Sequence, residues 1–232
     1  MSKVCIVGLG YIGLPTAIML AANDVEIVGV DYNSEVISQL NSGKLTFEEK
    51  HLEELFNTAV SKGIVFTDTY ISAQTYIIAV PTPYKPDSKR IDPKYIISAI
   101  NSVLDICQEN ALIIIESTVS PGTIDRYIRP VFAERGKKLG QDVHIAHAPE
   151  RIIPGKMIFE LVNNSRIIGV DSHEIGKRVK TLYQTFCKAE IVITDMRTAE
   201  MTKVVENTFR DINIAFANEL CKICRKDKRM SL

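Results

Sequence analysis

Val4-Cys5-Ile6-Val7-Gly8-Leu9-Gly10-Tyr11-Ile12-Gly13-Leu14-Pro15 opens the chain and decides its fold. A short apolar run with two β-branched valines passes into Gly-x-Gly-x-x-Gly, then into a helix-like run from Thr16 to Ala22. Strand, tight turn and helix opening in that order form the cradle that a dinucleotide pyrophosphate requires. Gly8 permits the sharp turn, Gly10 has no side chain to hold phosphates away, and Gly13 lets the helix pack close on the strand. The free N–H groups of the helix N-terminus, among them those near Tyr11 and Ile12, then face the anion. Alone, the pattern also fits an ordinary glycine-rich strand–helix turn. A second strand-like run, Val25 to Val30, ends in Asp31, 18 residues after Gly13. That is close to the spacing at which a carboxylate meets the adenosine ribose hydroxyls. A carboxylate there repels a 2′-phosphate, so NAD is expected rather than NADP. The competing role for Asp31 is to cap a helix opening near Ser34.

A chain of 232 residues can bury a full α/β core and begin a second domain. Its zero net charge gives no basic field for nucleic acid, and no nucleic-acid partner is expected. Continuous apolar runs reach only about five residues, too short to span a membrane. Gly and Pro interrupt the apolar residues of the N-terminus, so no signal peptide is read and a cytoplasmic location follows. Cys5, Cys107, Cys187, Cys221 and Cys224 fit reduced thiols. Cys221 and Cys224 form a C-x-x-C inside a helix-like stretch with no second pair, so neither zinc nor redox chemistry is expected of them.

Strand-like runs recur at Val4–Val7, Glu26–Val30, Ile64–Thr67, Tyr76–Val80, Leu112–Glu116, Val143–Ala146, Arg166–Val170 and Ile191–Thr194. Helix-like segments at Leu14–Ala22, Glu35–Asn41, Glu48–Lys62, Pro93–Gln108 and Thr123–Arg135 separate most of them. The alternation predicts a Rossmann-like, doubly wound α/β fold with a mainly parallel sheet over residues 1–194. From Asp195 onward there is no Gly or Pro, and the apolar residues follow a helical period from Ala199 to Ile223. A helix of roughly 30 residues is long for a domain of this size, so residues 195–232 are expected to link domains or to form a dimer seam. Their polar, abrupt ending is expected to mark a truncated central domain.

Several polar groups gather where strands end, the edge at which open α/β sheets bind ligands. Thr82 lies in Val80-Pro81-Thr82-Pro83, and Thr118 in Glu116-Ser117-Thr118-Val119-Ser120-Pro121-Gly122. Glu150 and Arg151 follow the next strand and offer a carboxylate beside a guanidinium. Lys203 and Asn207, four apart on the long helix, share a face. Together an ammonium and an amide can hold an alcohol oxygen and stabilise charge as hydride leaves its carbon. Arg210 lies within reach of a phosphate or sugar group. Each also has a plain structural role: the threonines as turn residues, Glu150 and Arg151 as a surface pair, Lys203 and Asn207 as a solvated face. His144 and His147 fall on opposite faces of a strand, so no metal site is expected.

Taken together, Gly8–Pro15, Val80–Pro83, Glu116–Thr123, Ala148–Gly155 and Lys203–Thr208 resemble the UDP-sugar and GDP-mannose 6-dehydrogenases over essentially the whole chain. The resemblance implies an NAD-binding domain and a second α/β domain joined by a long helix that builds a homodimer. It implies oxidation of a C6 hydroxyl of a nucleotide sugar to a carboxylate with two NAD. By motif, Tyr11 and Ile12 would meet the cofactor phosphates, Asp31 the ribose, and Thr82 and Thr118 the cofactor. Thr118 and Glu150 would serve the catalytic water, and Lys203, assisted by Asn207, the C6 oxygen. Pro149-Glu150-Arg151-Ile152-Ile153-Pro154-Gly155 is similar to the enzymes acting on N-acetylated UDP-sugars, and the run after Asn207 to those acting on UDP-N-acetylmannosamine. Arg151, Ile152 and Arg210 would then touch substrate, with UDP-N-acetylglucosamine or UDP-glucose as alternatives.

The resemblance also implies a nucleophilic cysteine in a Gly-rich loop past the long helix, where a thiohemiacetal would form. None of the five cysteines has that setting. The chain is therefore expected to be an amino-terminal half that binds NAD, serves surface polysaccharide synthesis only within a longer enzyme, and does not complete the oxidation. The competing reading is a non-catalytic NAD-binding module.

Overall fold

The computed structural model describes residues 3–88 and 90–226. The first strand, β1 (Val4–Val7), leads through the glycine turn into α1 (Gly13–Ala22) and β2 (Ile27–Val30). Then come α2 (Ser34–Asn41), α3 (Leu52–Ser61), β3 (Val65–Thr67) and β4 (Thr75–Ile78). A two-stranded antiparallel ribbon, β5 (Tyr84–Lys85) with β6 (Arg90–Ile91), interrupts the alternation before α4 (Lys94–Leu104) and β7 (Ala111–Ile115). A π-helical segment, Ile124–Ile128, runs on as α5 (Arg129–Glu134). The chain continues with β8 (Val143–His147), α6 (Met157–Asn163), β9 (Arg166–Val170), α7 (His173–Tyr183), β10 (Ile191–Thr194) and α8 (Met196–Lys226).

Eight strands form one sheet in the order β10-β9-β8-β7-β4-β1-β2-β3. All neighbours are parallel except β8 and β9, which meet antiparallel at Ala146–Val170 and His147–Gly169. The doubly wound, mainly parallel α/β fold is the one the alternation predicts. Strands buried on both faces read as continuous apolar runs, and β1, β2, β4 and β7 are buried at every position. Successive side chains feed opposite cores. Ile6, Ile77 and Ile114 pack with Leu14, Ile18 and Phe56 on one face. Cys5, Val7, Tyr76, Ile113 and Ile115 pack with Ile96, Ile100 and Phe132 on the other. The chain winds outward from β1 through β2 to β3, then returns to place β4 on the other side of β1. The crevice at the carboxyl ends of β1 and β4 is therefore the topological switch point, where such sheets bind ligands.

Some expected boundaries move. The helix expected from Glu48 begins at Leu52, because His51 takes a left-handed φ of 65° that a helix cannot run through; the Glu49 carboxylate before it accepts the N–H of Gly155 at 2.8 Å and of Met157 at 3.3 Å. The strand expected to end at Val80 ends at Ile78, which frees Ala79 and Val80 to line the crevice.

The long helix is present as α8, and Asp195 caps it as expected: its carboxylate accepts the N–H of Thr198 at 2.9 Å. Met196, Ala199, Glu200 and Lys203 are its buried residues. Farther along, Phe209, Ile212, Phe216, Leu220 and Ile223 form one exposed apolar stripe. The polar ending, residues 227–232, lies outside the described residues. Cys221 and Cys224 are free thiols on this helix. Among the described residues no helix is long and apolar enough to cross a membrane.

Candidate functional site

A cleft of about 460 Å³ opens at the switch point. Four strand ends build it: Gly8–Ile12 after β1, Asp31–Asn33 after β2, Ala79–Thr82 after β4, and Ser117 with Thr118 after β7. Gly8, Gly10, Tyr11, Ile12, Asp31, Thr82 and Thr118 are thus brought together. Gly13 stands behind them as the first residue of α1. Gly8 has φ +93°, and a Cβ there would lie 2.7 Å from the Ala79 carbonyl oxygen. Gly10 differs, since a Cβ there would meet nothing within 4 Å. No side chain caps α1 at Ile12. Pro15 has no N–H and the Leu14 N–H closes on the Gly10 carbonyl at 3.1 Å, so the amides left for solvent or an anion are those of Tyr11, Ile12 and Gly13. A close backbone turn with open space above it fits a dinucleotide pyrophosphate.

Asp31 is not a helix cap. Asn33 fills that role for α2, accepting the Glu35 N–H at 3.0 Å. The Asp31 carboxylate instead accepts the N–H of Leu9 at 2.7 Å and of Asn33 at 2.9 Å. It braces the glycine turn, and each oxygen can accept one more hydrogen bond at the wall of the cleft.

Under the same sheet edge lies a buried ionic group that no local pattern announces. Arg166 of β9 pairs with Glu150, and its other terminal nitrogen stands 3.5 Å from Glu116. Its guanidinium stacks over Tyr183, 4.3 Å from the ring centroid, and the Tyr183 hydroxyl donates to Glu116 at 3.2 Å. All four residues are buried. Glu116 keeps one oxygen, Oε2, without a partner, and the Thr16 hydroxyl beside it lacks hydrogen-bond geometry.

Burial pushes the Glu116 carboxyl up to about 7; Arg166 opposes the rise and the Glu150 charge adds to it. Arg166 stays charged: burial works against it, but Glu150, Tyr183 and Glu116 hold it above its ordinary value. His147, at the end of β8, is pushed down to about 4 by burial, against a 2.9 Å contact between Nδ1 and the Ile115 carbonyl.

These two shifts oppose one another. Native Glu116 holds a proton that the unfolded chain releases above 4.5, so its contribution is full below that value and is lost as pH rises through about 7. Native His147 refuses a proton that the unfolded chain accepts below 6.5, so its contribution is full above that value and is lost as pH falls through about 4. Each changes stability by about 1.4 kcal/mol per pH unit where it acts, with opposite sign. Glu116→Gln removes one of them. Urea unfolding from pH 6.5 to 4.5 is expected to show this variant losing stability faster than the wild type, by about 1.4 kcal/mol per unit. Parallel curves would refute the shift.

The substrate-side residues are less concentrated. Glu150 and Arg151 do not offer a carboxylate beside a guanidinium: the cation at Glu150 belongs to Arg166, and Arg151 contributes only its backbone N–H, at 2.6 Å. The Arg151 guanidinium turns to Glu206 of α8 and the Ser165 carbonyl. Arg151, Glu206 and Arg210 line a second cleft of about 570 Å³ between the 151–165 segment and α8. Ile152 packs half-buried against the core, and Asn207 is exposed. Lys203 is buried; burial lowers its pKa, while the Glu150 and Glu206 carboxylates pull it back up. His144 and His147 lie an odd number of residues apart on β8, on opposite faces as expected. Among the described residues no three His, Cys, Asp or Glu side chains are grouped to hold a metal ion.

Residues 2–187 match the model of the UDP-glucose/GDP-mannose dehydrogenase family, NAD binding domain, and residues 197–228 match the central domain of the same family. A UDP-N-acetyl-D-mannosamine dehydrogenase from Methanococcus maripaludis is 43% identical over 226 residues, covering 96% of this chain and 51% of that protein. The solved UDP-N-acetyl-mannosamine dehydrogenase Cap5O from Staphylococcus aureus superposes with a TM-score of 0.88 at 43% identity, covering 97% of this chain and 55% of that one. A GDP-mannose dehydrogenase from Pseudomonas aeruginosa, solved as a ternary complex, gives a TM-score of 0.88 at 27% identity over 96% of this chain and 53% of that one. The chain spans about half the length of the curated relatives it matches. With a switch-point cleft that fits NAD and family matches on both sides of Asp195, the chain belongs to the UDP-glucose/GDP-mannose dehydrogenase family.

Proposed function

We propose that the chain supplies the NAD-binding part of an enzyme that oxidises the C6 hydroxyl of UDP-N-acetyl-D-mannosamine to the uronate. The observation that carries this reading is the convergence of Gly8–Ile12, Asp31, Thr82 and Thr118 on one cleft. The choice of sugar leans on the names of the relatives at about 40% identity. In this reading residues 1–194 form the NAD-binding domain and residues 195–232 open a central domain. The exposed stripe from Phe209 to Ile223 is then the face that meets a second copy.

Bound NAD would accept hydride from the C6 carbon. Gly8, Gly10 and Gly13 shape the turn that receives its pyrophosphate, and Asp31 holds its adenosine ribose. Thr82 and Thr118 line the cofactor from the β4 and β7 ends. Lys203 is a buried amine with a lowered pKa, suited to holding the C6 oxygen and taking its proton. Asn207, one turn on, assists. Glu150, fixed by Arg166, orients water, and Arg151, Ile152 and Arg210 meet the nucleotide sugar.

Asp31→Asn tests the cofactor assignment. Asparagine removes the charge and turns an NH₂ toward one of the two amides the carboxylate holds, those of Leu9 and Asn33, and is expected to weaken NAD binding by about 1–2 kcal/mol, the scale of a hydrogen bond to a charged group. It is also expected to narrow the preference for NAD over NADP. Calorimetric titration of both dinucleotides measures this, and unchanged affinities would remove Asp31 from the site.

A further inference from the structure

We propose that Glu200 is a positioning residue that locks the Thr118 loop and the Lys203 helix into one unit, an inference that rests on the NAD reading above. Glu200 sits in the second turn of α8 and is fully buried. A buried carboxylate needs partners, and Glu200 finds both on a distant segment. Its Oε2 accepts the Gly122 N–H at 2.5 Å, and its Oε1 accepts the Ile124 N–H at 2.9 Å. These amides begin the helix at Ile124, which has no side-chain cap of its own. A negative group there meets unsatisfied N–H groups and the positive end of the helix dipole.

The loop so held carries Thr118, four residues before Gly122. Its upstream end is fixed independently. The Ser117 hydroxyl donates to the Val80 carbonyl at 2.7 Å, and the Glu116 N–H to the Ile78 carbonyl at 2.9 Å. Thr118 therefore hangs between two anchors, one at the end of β4 and one on α8. On α8 itself, Lys203 follows Glu200 by three residues and faces the same way. That turn is packed tightly on the sheet: a Cβ added at Gly169 would lie 2.7 Å from the Ala199 Cβ. Arg197, donating to Asp125 at 2.9 Å, is an exposed second tie and holds less. One carboxylate thus sets the distance between the loop that meets the cofactor and the amine that meets the substrate oxygen.

Glu200→Gln, Thr118→Ala and the double variant of the full chain test this. The carboxamide turns an NH₂ toward one of the two backbone donors, so one hydrogen bond becomes a clash of donors. Hydrogen exchange at Gly122 and Ile124 is expected to rise at least about tenfold in Glu200→Gln, while the amides of β1 and β4 keep their rates. NAD affinity is expected to fall by about tenfold, and adding Glu200→Gln to Thr118→Ala to cost little more than Thr118→Ala alone. Glu200→Asp, too short to reach both amides, serves the same measurements if the glutamine variant does not fold, with smaller changes in the same direction. Unchanged exchange at Gly122 and Ile124, or losses of affinity that simply add, would overturn the proposal. Failure of the unaltered chain to bind NAD overturns the cofactor reading instead, and the exchange measurement then decides the role of Glu200 by itself.

Discussion

Gly13→Ala is expected to cost both fold and cofactor, whereas Gly10→Ala is expected to cost the cofactor alone. The difference lies in what an added methyl would meet. At Gly13 a Cβ would lie 1.9 Å from the Gly8 carbonyl oxygen and 3.0 Å from the Ala79 Cβ. The first neighbour is backbone, and no rotamer relieves the overlap. The turn must open, displacing α1 from β1. Overpacking a core costs about 1–3 kcal/mol where side chains can move, and a backbone collision belongs at or beyond the upper end. At Gly10 the methyl would enter open space, and its φ is outside the left-handed region. The melting curve of Gly10→Ala is expected to shift by no more than about 0.5 kcal/mol, as for a surface substitution. In the proposed reading that open space is where the pyrophosphate approaches the chain, so NAD affinity is expected to fall by at least about tenfold, or about 1.4 kcal/mol. Thermal unfolding and NAD titration on the two variants separate the roles. Wild-type affinity in Gly10→Ala would place the phosphates elsewhere.

The parts legible in the sequence are those whose physics is local. A strand buried on both faces must be apolar throughout, so β1, β4 and β7 announce themselves. The glycine turn is legible because two of its positions, Gly8 and Gly13, reject a side chain on local backbone grounds. Two helices escape the reading for different causes. The seven residues of α6 are too few to establish a period. Helix α7 carries a signal, since Ile175, Val179, Leu182 and Tyr183 fall on one face, but a polar sequence surrounds them. The antiparallel turn between β8 and β9 has no signature, because a strand does not encode its direction. The site was legible where it is chain-local, as at Gly8–Gly13, and illegible where it depends on distant partners. Glu150 stands in a motif beside Arg151, yet Arg166 holds it. Glu200 and Glu49 are ordinary helix-region glutamates in sequence. Their partners lie 76 to 108 residues away.

Arg166→Met is expected to be the most destabilising single substitution outside the apolar core. Methionine preserves much of the stem packing against Tyr183 and Phe186, so the loss reports on charge rather than volume. In its place Glu150 and Glu116 would face each other with no cation between them. Removing one partner of a buried ion pair typically costs about 3–5 kcal/mol, because the remaining charge keeps its desolvation cost without its compensation. Two independent variants check the cause. Combining Arg166→Met with Glu150→Gln removes the stranded charge as well and is expected to recover more than half of the loss. Arg166→Lys keeps a charge but not the planar fork that serves two carboxylates and a ring, and is expected to fall between. Without Arg166, which opposes the rise, the Glu116 carboxyl is expected to keep its proton to still higher pH, which leaves Glu150 as the stranded charge. Urea unfolding of the four proteins gives the ordering. A cost of under about 1 kcal/mol would be that of a surface ion pair. It would mean that Arg166 neither stabilises the group nor fixes Glu150.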